Sequence, residues 1–326
     1  MKLTIGFDTS AINKLQDGSE SELLMIALEC SFHVRLPGMS AEEVLSNRDP
    51  ARREQLLARC QQLLTSGECL WPPHEILRLL ISAHFRNPSE FVCGRVNVRA
   101  RIYEQSIIAR DFSDELCARQ RKEQFRVESN FEKMWKGLRP KLDEVLASEP
   151  PKRPATYSDA VSIATARGGV LWGFGAELYR GITQATLSEP EIETFMGLCP
   201  PFRGACYGLV MAWFNGALRL RQANDPDPPG RNDLLMATYL PYCKRFVTGD
   251  GPQEKGLREV ATWAAITCDV QSFRDFSDSF VPPRIAARDG EYRQTLLSGK
   301  LLQLEHKRCR FSVMHAFWRE NDLKRK

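Results

Sequence analysis

With 326 residues, 43% of them hydrophobic, the chain is long enough to bury a sizeable core and is set apart from disordered tails. Charged residues make up 26% and the net charge is +4, which excludes the strong global cationic field of a protein that binds nucleic acid by charge alone. The charge is uneven: from Arg284 to Lys326 there are 11 Lys and Arg against 5 Asp and Glu, an excess of +6 that leaves the remainder at −2.

Residues 3–7 (LTIGF) form a short apolar run closed by Asp8-Thr9-Ser10, the pattern of a buried strand leading into a helix. A helix follows from near Ser19, with Glu22 three residues on as a capping box. Phe32–Leu36 reads as a second strand stopped by Pro37-Gly38, and Ser40-Ala41-Glu42-Glu43 opens the next helix. Strand, helix, strand, helix is the rhythm of an α/β domain with a parallel sheet.

That rhythm then stops. Asp49-Pro50 starts a helix whose face carries Leu56, Leu57, Cys60, Leu63 and Leu64. Further helices are expected over 76–85, from about Ser113 with Phe131, Met134, Trp135 and Leu138 in register, and over 157–166, 189–197 and 204–221. Pro140 is expected to break or kink the long one, and Glu149–Pro154 reads as a loop. After a loop at Asn224–Gly230, Asp233 opens a helix, Arg245–Thr248 forms a strand ending at Gly249-Asp250, a helix covers 254–264, and a β-rich stretch lies around Ile266–Val270. The expected organisation is a discontinuous α/β core, 1–48 and 231–283, a helical insertion, 49–230, and a basic C-terminal extension, 284–326.

The ten cysteines are scattered, without a CxxC pair or a histidine at zinc-finger spacing, and read as reduced thiols of a cytosolic, cytoplasmic protein. Asp8 interrupts the N-terminus too early for a signal peptide, and the run from Ala205 to Leu218 is too short for a membrane span, so no membrane partner is expected.

Asp8 and Asp250 each follow an expected buried strand, where ligands of an open parallel sheet bind. Carboxylates gathered there repel one another, and a divalent cation such as Mg²⁺ relieves the repulsion. Asp233 and Glu43, at helix starts, complete an acidic cluster able to hold metal and activate water against a phosphodiester. Each acid also has a structural reading: Ser40-x-x-Glu43 as a capping box, Asp233 as a cap or first-turn acid, Asp250 as a turn with its glycines.

IGFDTSAINKL at the N-terminus and NDLLMATYLPYCKRFVTGD at 232–250 together resemble the PIN domain, a metal-dependent nuclease family. The resemblance spans roughly 1–46 and 231–280. It implies a three-layer parallel-sheet core with a catalytic and metal-binding set of Asp8, Glu43, Asp233 and Asp250, supported by Ser10 and Thr248, and Mg²⁺ or Mn²⁺ as cofactor. The implied activity is that of a ribonuclease, with RNA as substrate and DNA as the alternative. Small members are often held by an antitoxin-like inhibitor protein; the long helical block departs from them, and a homodimer is a further expectation. Two other readings stay open, an inactive PIN-like nucleic-acid-binding or scaffold protein and, ranked last, a phosphohydrolase with an aspartyl intermediate on Asp8.

Arg95, Arg99 and Arg101 are candidate phosphate contacts, with a solvated charged face as the other reading. Lys307, Arg308 and Arg310, interleaved with Phe311 and Trp318, read either as a nucleic-acid contact or as a helix docked by its aromatic face. Gly168-Gly169 and Gly173-Phe-Gly175 lack the Lys-Ser/Thr of a phosphate loop and read as helix packing, and the five histidines show no metal spacing.

Overall fold

In a computed structural model the described residues are 2–17, 21–110, 112–148, 154–219 and 230–280. The apolar run LTIGF forms β1 (Leu3–Phe7), followed by α1 (Thr9–Asp17), α2 (Ser21–Ser31), β2 (Phe32–Pro37) and α3 (Gly38–Leu45). The expected capping residue Ser19 lies outside the described residues. α3 starts earlier than Ser40, so Ser40 is no cap: its hydroxyl donates to the Phe7 carbonyl at 3.1 Å, and Glu43 falls in the second helical turn.

α4 (Pro50–Leu64) begins as its sequence dictates, with Asp49 Oδ1 accepting from the Ala51 and Arg52 amides at 2.9 and 3.3 Å. Such a cap is worth about 1 kcal/mol. Leu56, Leu57, Cys60, Leu63 and Leu64 are buried on one face of α4, each leucine contributing roughly 1.5–3 kcal/mol of burial. The next element corrects the sequence reading: Gly67–Leu70 is a strand, β3, paired in parallel with β2. The stretch expected to be a helical insertion from residue 49 therefore first completes the sheet.

Helices α5 (Pro73–Arg86), α6 (Arg101–Ala109), α7 (Asp114–Ser148), α8 (Tyr157–Ala164), α9 (Val170–Thr183), α10 (Glu189–Leu198) and α11 (Pro200–Trp213) follow. α7 runs through Pro140 without the break that was one of two expectations there, the other being a kink, and Met134 on it is exposed. α6 carries no marked sequence signal, and α9 only the Gly173-Phe-Gly175 packing pattern. Gly175 sits where α9 meets α10: a Cβ there would lie 2.6 Å from Ile192 Cγ2, so this glycine serves helix packing as expected, whereas a Cβ at Gly168 or Gly173 would meet nothing within 4 Å. α12 (Arg231–Leu235) passes into a 3₁₀ segment, Met236–Tyr242, in place of the longer helix expected there. β4 (Arg245–Thr248), α13 (Gly251–Trp263), β5 (Asp269–Ser272) and α14 (Phe273–Phe280) complete the described chain, with β5 a few residues later than the sequence indicated.

The fold is α/β, built on a parallel five-stranded sheet in the order β3-β2-β1-β4-β5. The chain up to Ser277 is one compact unit. Its main apolar cluster joins Tyr157, Phe195, Phe202 and Val210 of the helical block to Tyr239, Phe246, Leu257 and Val270, so the block shares a core with the sheet. No helix among the described residues is long and apolar enough to cross a membrane. The nine described cysteines are free thiols; the basic extension 284–326, with Cys309, lies outside the described residues.

Candidate functional site

Strand order sets the position of the site. From β1 the chain moves outward to β2 and β3, then returns to place β4 and β5 on the other side. The gap between β1 and β4 is thus the topological switch point, and ligands of open parallel sheets bind outside the strand C-termini there. Asp8 directly follows β1, and Asp250 follows β4 by two residues.

Asp8 is 3% exposed and is held entirely by neutral groups. Ser10 Oγ donates to Oδ2 and the Ala11 amide to Oδ1, both at 2.7 Å, and the Gly249 amide reaches Oδ1 at 3.4 Å. Thr248 Oγ1 lies 2.7 Å from Oδ2. Burial pushes the Asp8 carboxyl above its ordinary pKa against the lowering effect of these bonds. Ser10 and Thr248, expected as supporting residues, both contact Asp8 directly.

Asp250 is the N-cap of α13, its Oδ1 accepting from the Gln253 amide at 3.1 Å, while its own amide donates to Thr248 Oγ1 at 3.0 Å. Asp233 lies in the first turn of α12, where Oδ2 accepts from the Gly230 amide at 2.8 Å and Oδ1 from Gln253 Nε2 at 3.2 Å. Its pKa is raised to about 6, first by burial and then by the fields of Asp250, Asp8 and Glu128, the Gly230 bond opposing. Glu43 accepts a hydrogen bond from the Thr9 hydroxyl. Burial chiefly pushes it up to about 8, opposed by Thr9 and reinforced by Asp233, Asp8 and Glu128. The adjacent Glu42 turns elsewhere, accepting from Tyr103 at 3.0 Å.

Asp233 therefore lies within the electrostatic reach of Asp8 and Asp250, and Glu43 within that of Asp233 and Asp8. Among the described residues none of the four forms an ion pair with Lys or Arg. The donor set, carboxylates with hydroxyls behind them, consists of hard oxygens, the chemistry that suits Mg²⁺ or Mn²⁺. In this arrangement, however, no three His, Cys, Asp or Glu among the described residues come together as the ligands of a single ion.

Protons on the network can be counted. Asp8 Oδ2 to Thr248 Oγ1 is 2.7 Å, Thr248 Oγ1 to Gln253 Oε1 is 2.6 Å, and Gln253 Nε2 to Asp233 Oδ1 is 3.2 Å. With both acids ionised, one hydroxyl and one amide face supply two donors for these three contacts, so two of the three are hydrogen bonds at any one time.

Three participants escaped the sequence reading. Thr9 carries no signal of its own between Asp8 and Ser10. Gln253 looks like the last residue of a capping box, Asp250-x-x-Gln253. Glu128 lies within a long charged helix, where nothing marks it; its Oε1 accepts from the Asn232 amide at 3.0 Å.

Of the basic candidates, Arg99 is engaged bidentately by Glu104, at 2.7 Å for both Nε–Oε1 and Nη2–Oε2. A bridge to Leu70 fixes it beside the end of β3. Arg95 and Arg101 are exposed. Lys307, Arg308 and Arg310 lie outside the described residues. No family model, curated protein or solved structure matches the chain.

Proposed function

We propose that this chain is a metal-dependent nuclease with a PIN-like core, cutting RNA. The observation that carries the reading is the convergence of Asp8, Glu43, Asp233 and Asp250 at the sheet's switch point, held by hydroxyls and amides and, among the described residues, without a cationic side chain. A purely structural role gives no return for like charges gathered in a buried place, because their repulsion destabilises the fold. A divalent cation offsets that repulsion, and Asp8, Glu43, Asp233 and Asp250 are the residues that would hold Mg²⁺ or Mn²⁺.

When bound, such an ion makes water a stronger nucleophile and stabilises the charge on the leaving oxygen. The chain's own part is orientation. Ser10, Thr248 and the Ala11 amide fix the Asp8 carboxylate, Gly230 and Gln253 fix Asp233, and Thr9 fixes Glu43. The exposed Arg95 and Arg101 are candidates for contacts with the substrate backbone.

A second reading, a PIN-like nucleic-acid-binding or scaffold protein without activity, draws support from the acids' not being gathered as a ligand set for one ion. Purified protein incubated with end-labelled RNA and DNA, in Mn²⁺, Mg²⁺ or EDTA, separates the two. RNA cleavage that needs the metal and disappears in the Asp8→Asn protein supports the enzyme. Binding without cleavage by the wild type supports the scaffold, and preferential cutting of DNA would replace RNA as the substrate.

A further inference from the structure

Gln253 is 2% exposed, a polar side chain enclosed in the protein. Its position three residues after an N-cap aspartate matches a capping box, in which the glutamine would reach back to the N-cap amide. Here that amide is already taken by Thr248 Oγ1 at 3.0 Å, and the glutamine side chain turns inward. Its Nε2 donates to Asp233 Oδ1 at 3.2 Å, and its Oε1 lies 2.6 Å from Thr248 Oγ1, which in turn lies 2.7 Å from Asp8 Oδ2. An ionised carboxylate only accepts, so the amide nitrogen belongs on the Asp233 side.

We propose that Gln253 is a positioning residue of the site, whose carboxamide ties Asp233 on α12 to Thr248 on β4 and, through Thr248, to Asp8 at the end of β1. This rests on the metal-dependent reading above. Asp233 arrives on a five-residue helix at the far end of the helical block, whereas Asp8 belongs to the sheet. A buried amide that accepts from one side and donates to the other fixes the spacing of two acids that no shared element connects. Partners that orient ligating carboxylates typically change metal affinity 10–100-fold when removed.

The test uses the full chain and Mn²⁺ alone, titrated by calorimetry, with folding checked by circular dichroism. Gln253→Met keeps the volume and removes both hydrogen bonds; Gln253→Ala serves if the methionine protein does not fold. The expected result is Mn²⁺ binding weakened about 10-fold or more in a folded variant. In the Asp233→Asn background the same substitution should cost little further, because its effect passes through Asp233. With RNA, kcat should fall while KM stays near the wild-type value. Unchanged Mn²⁺ affinity in a folded variant, or a full additional loss in the Asp233→Asn background, overturns the inference alone. A wild-type protein that binds no Mn²⁺ overturns the metal reading and this inference together.

Discussion

Thr248 Oγ1 lies 2.7 Å from Asp8 Oδ2, joining residues 240 positions apart in the chain. The contact follows from sheet register: β1 and β4 are neighbours, Phe7 pairs with Val247, and the residue after each pair reaches the same edge. A strand-end hydroxyl thereby meets a strand-end carboxyl group.

Asp8→Asn and Asp250→Asn should each abolish RNA cleavage while leaving the circular dichroism spectrum intact. Asp8→Asn should also raise the metal-free melting temperature, since it removes a buried charge from an acidic neighbourhood. Cleavage at the wild-type rate by either protein would remove that residue from the site.

Mn²⁺ or Mg²⁺ should stabilise the wild type against heat, because an ion that binds the native state adds about 2.7 kcal/mol at 100 times its Kd. The shift should disappear with EDTA and in Asp8→Asn. A thermal scan that does not respond to either ion at millimolar concentration would count against the proposed ligands.

Gly249 provides the close approach of the β4 end to α1. A Cβ there would lie 2.8 Å from the Ser10 carbonyl carbon and 2.9 Å from its Oγ. Gly249→Ala should push Ser10 away from Asp8, lowering cleavage more than stability. Kinetics and a melting curve measured side by side distinguish this from general destabilisation, which would lower both in step.

Glu104 ties α6 to the sheet, accepting from the Cys69 amide at 2.8 Å and pairing with Arg99. Burial raises its carboxyl pKa, but the Arg99 and Cys69 bonds together outweigh this and hold it below the usual glutamate value. The unfolded chain therefore takes up a proton at higher pH than the folded one. The stability from this group is present above the unfolded pKa and is lost as pH falls through the folded one. Denaturant melts between pH 7 and 3 should show a smaller acid loss in Glu104→Gln, which is less stable at neutral pH; parallel profiles would refute the assignment.

Arg95 and Arg101 should affect binding more than chemistry. If each neutralises one phosphate of a single strand, replacing both should flatten the salt dependence of RNA affinity by about 1.4 units of log–log slope. The single-turnover rate at saturating RNA should stay near the wild-type value. An unaltered slope would return these arginines to a solvated surface.

The sequence by itself determined the elements whose signals are local. The LTIGF and RFVT runs ending in acids mark β1 and β4, and Asp49-Pro50 marks the start of α4. The α/β class and the positions of Asp8 and Asp250 followed from these patterns, since a strand that stops at a polar turn puts that turn at a sheet edge. Tertiary structure decided the rest. Gly67–Leu70, with a glycine and a glutamate among four residues, becomes a strand only because β2 offers a parallel partner. α7 continues through Pro140 where local backbone chemistry argues for a break. Ser40 and Gln253 both occupy capping signatures, yet one hydroxyl bonds the end of β1 and the other side chain joins two remote segments. A capping pattern identifies atoms able to hydrogen-bond; which partner each one meets depends on segments far away in the chain.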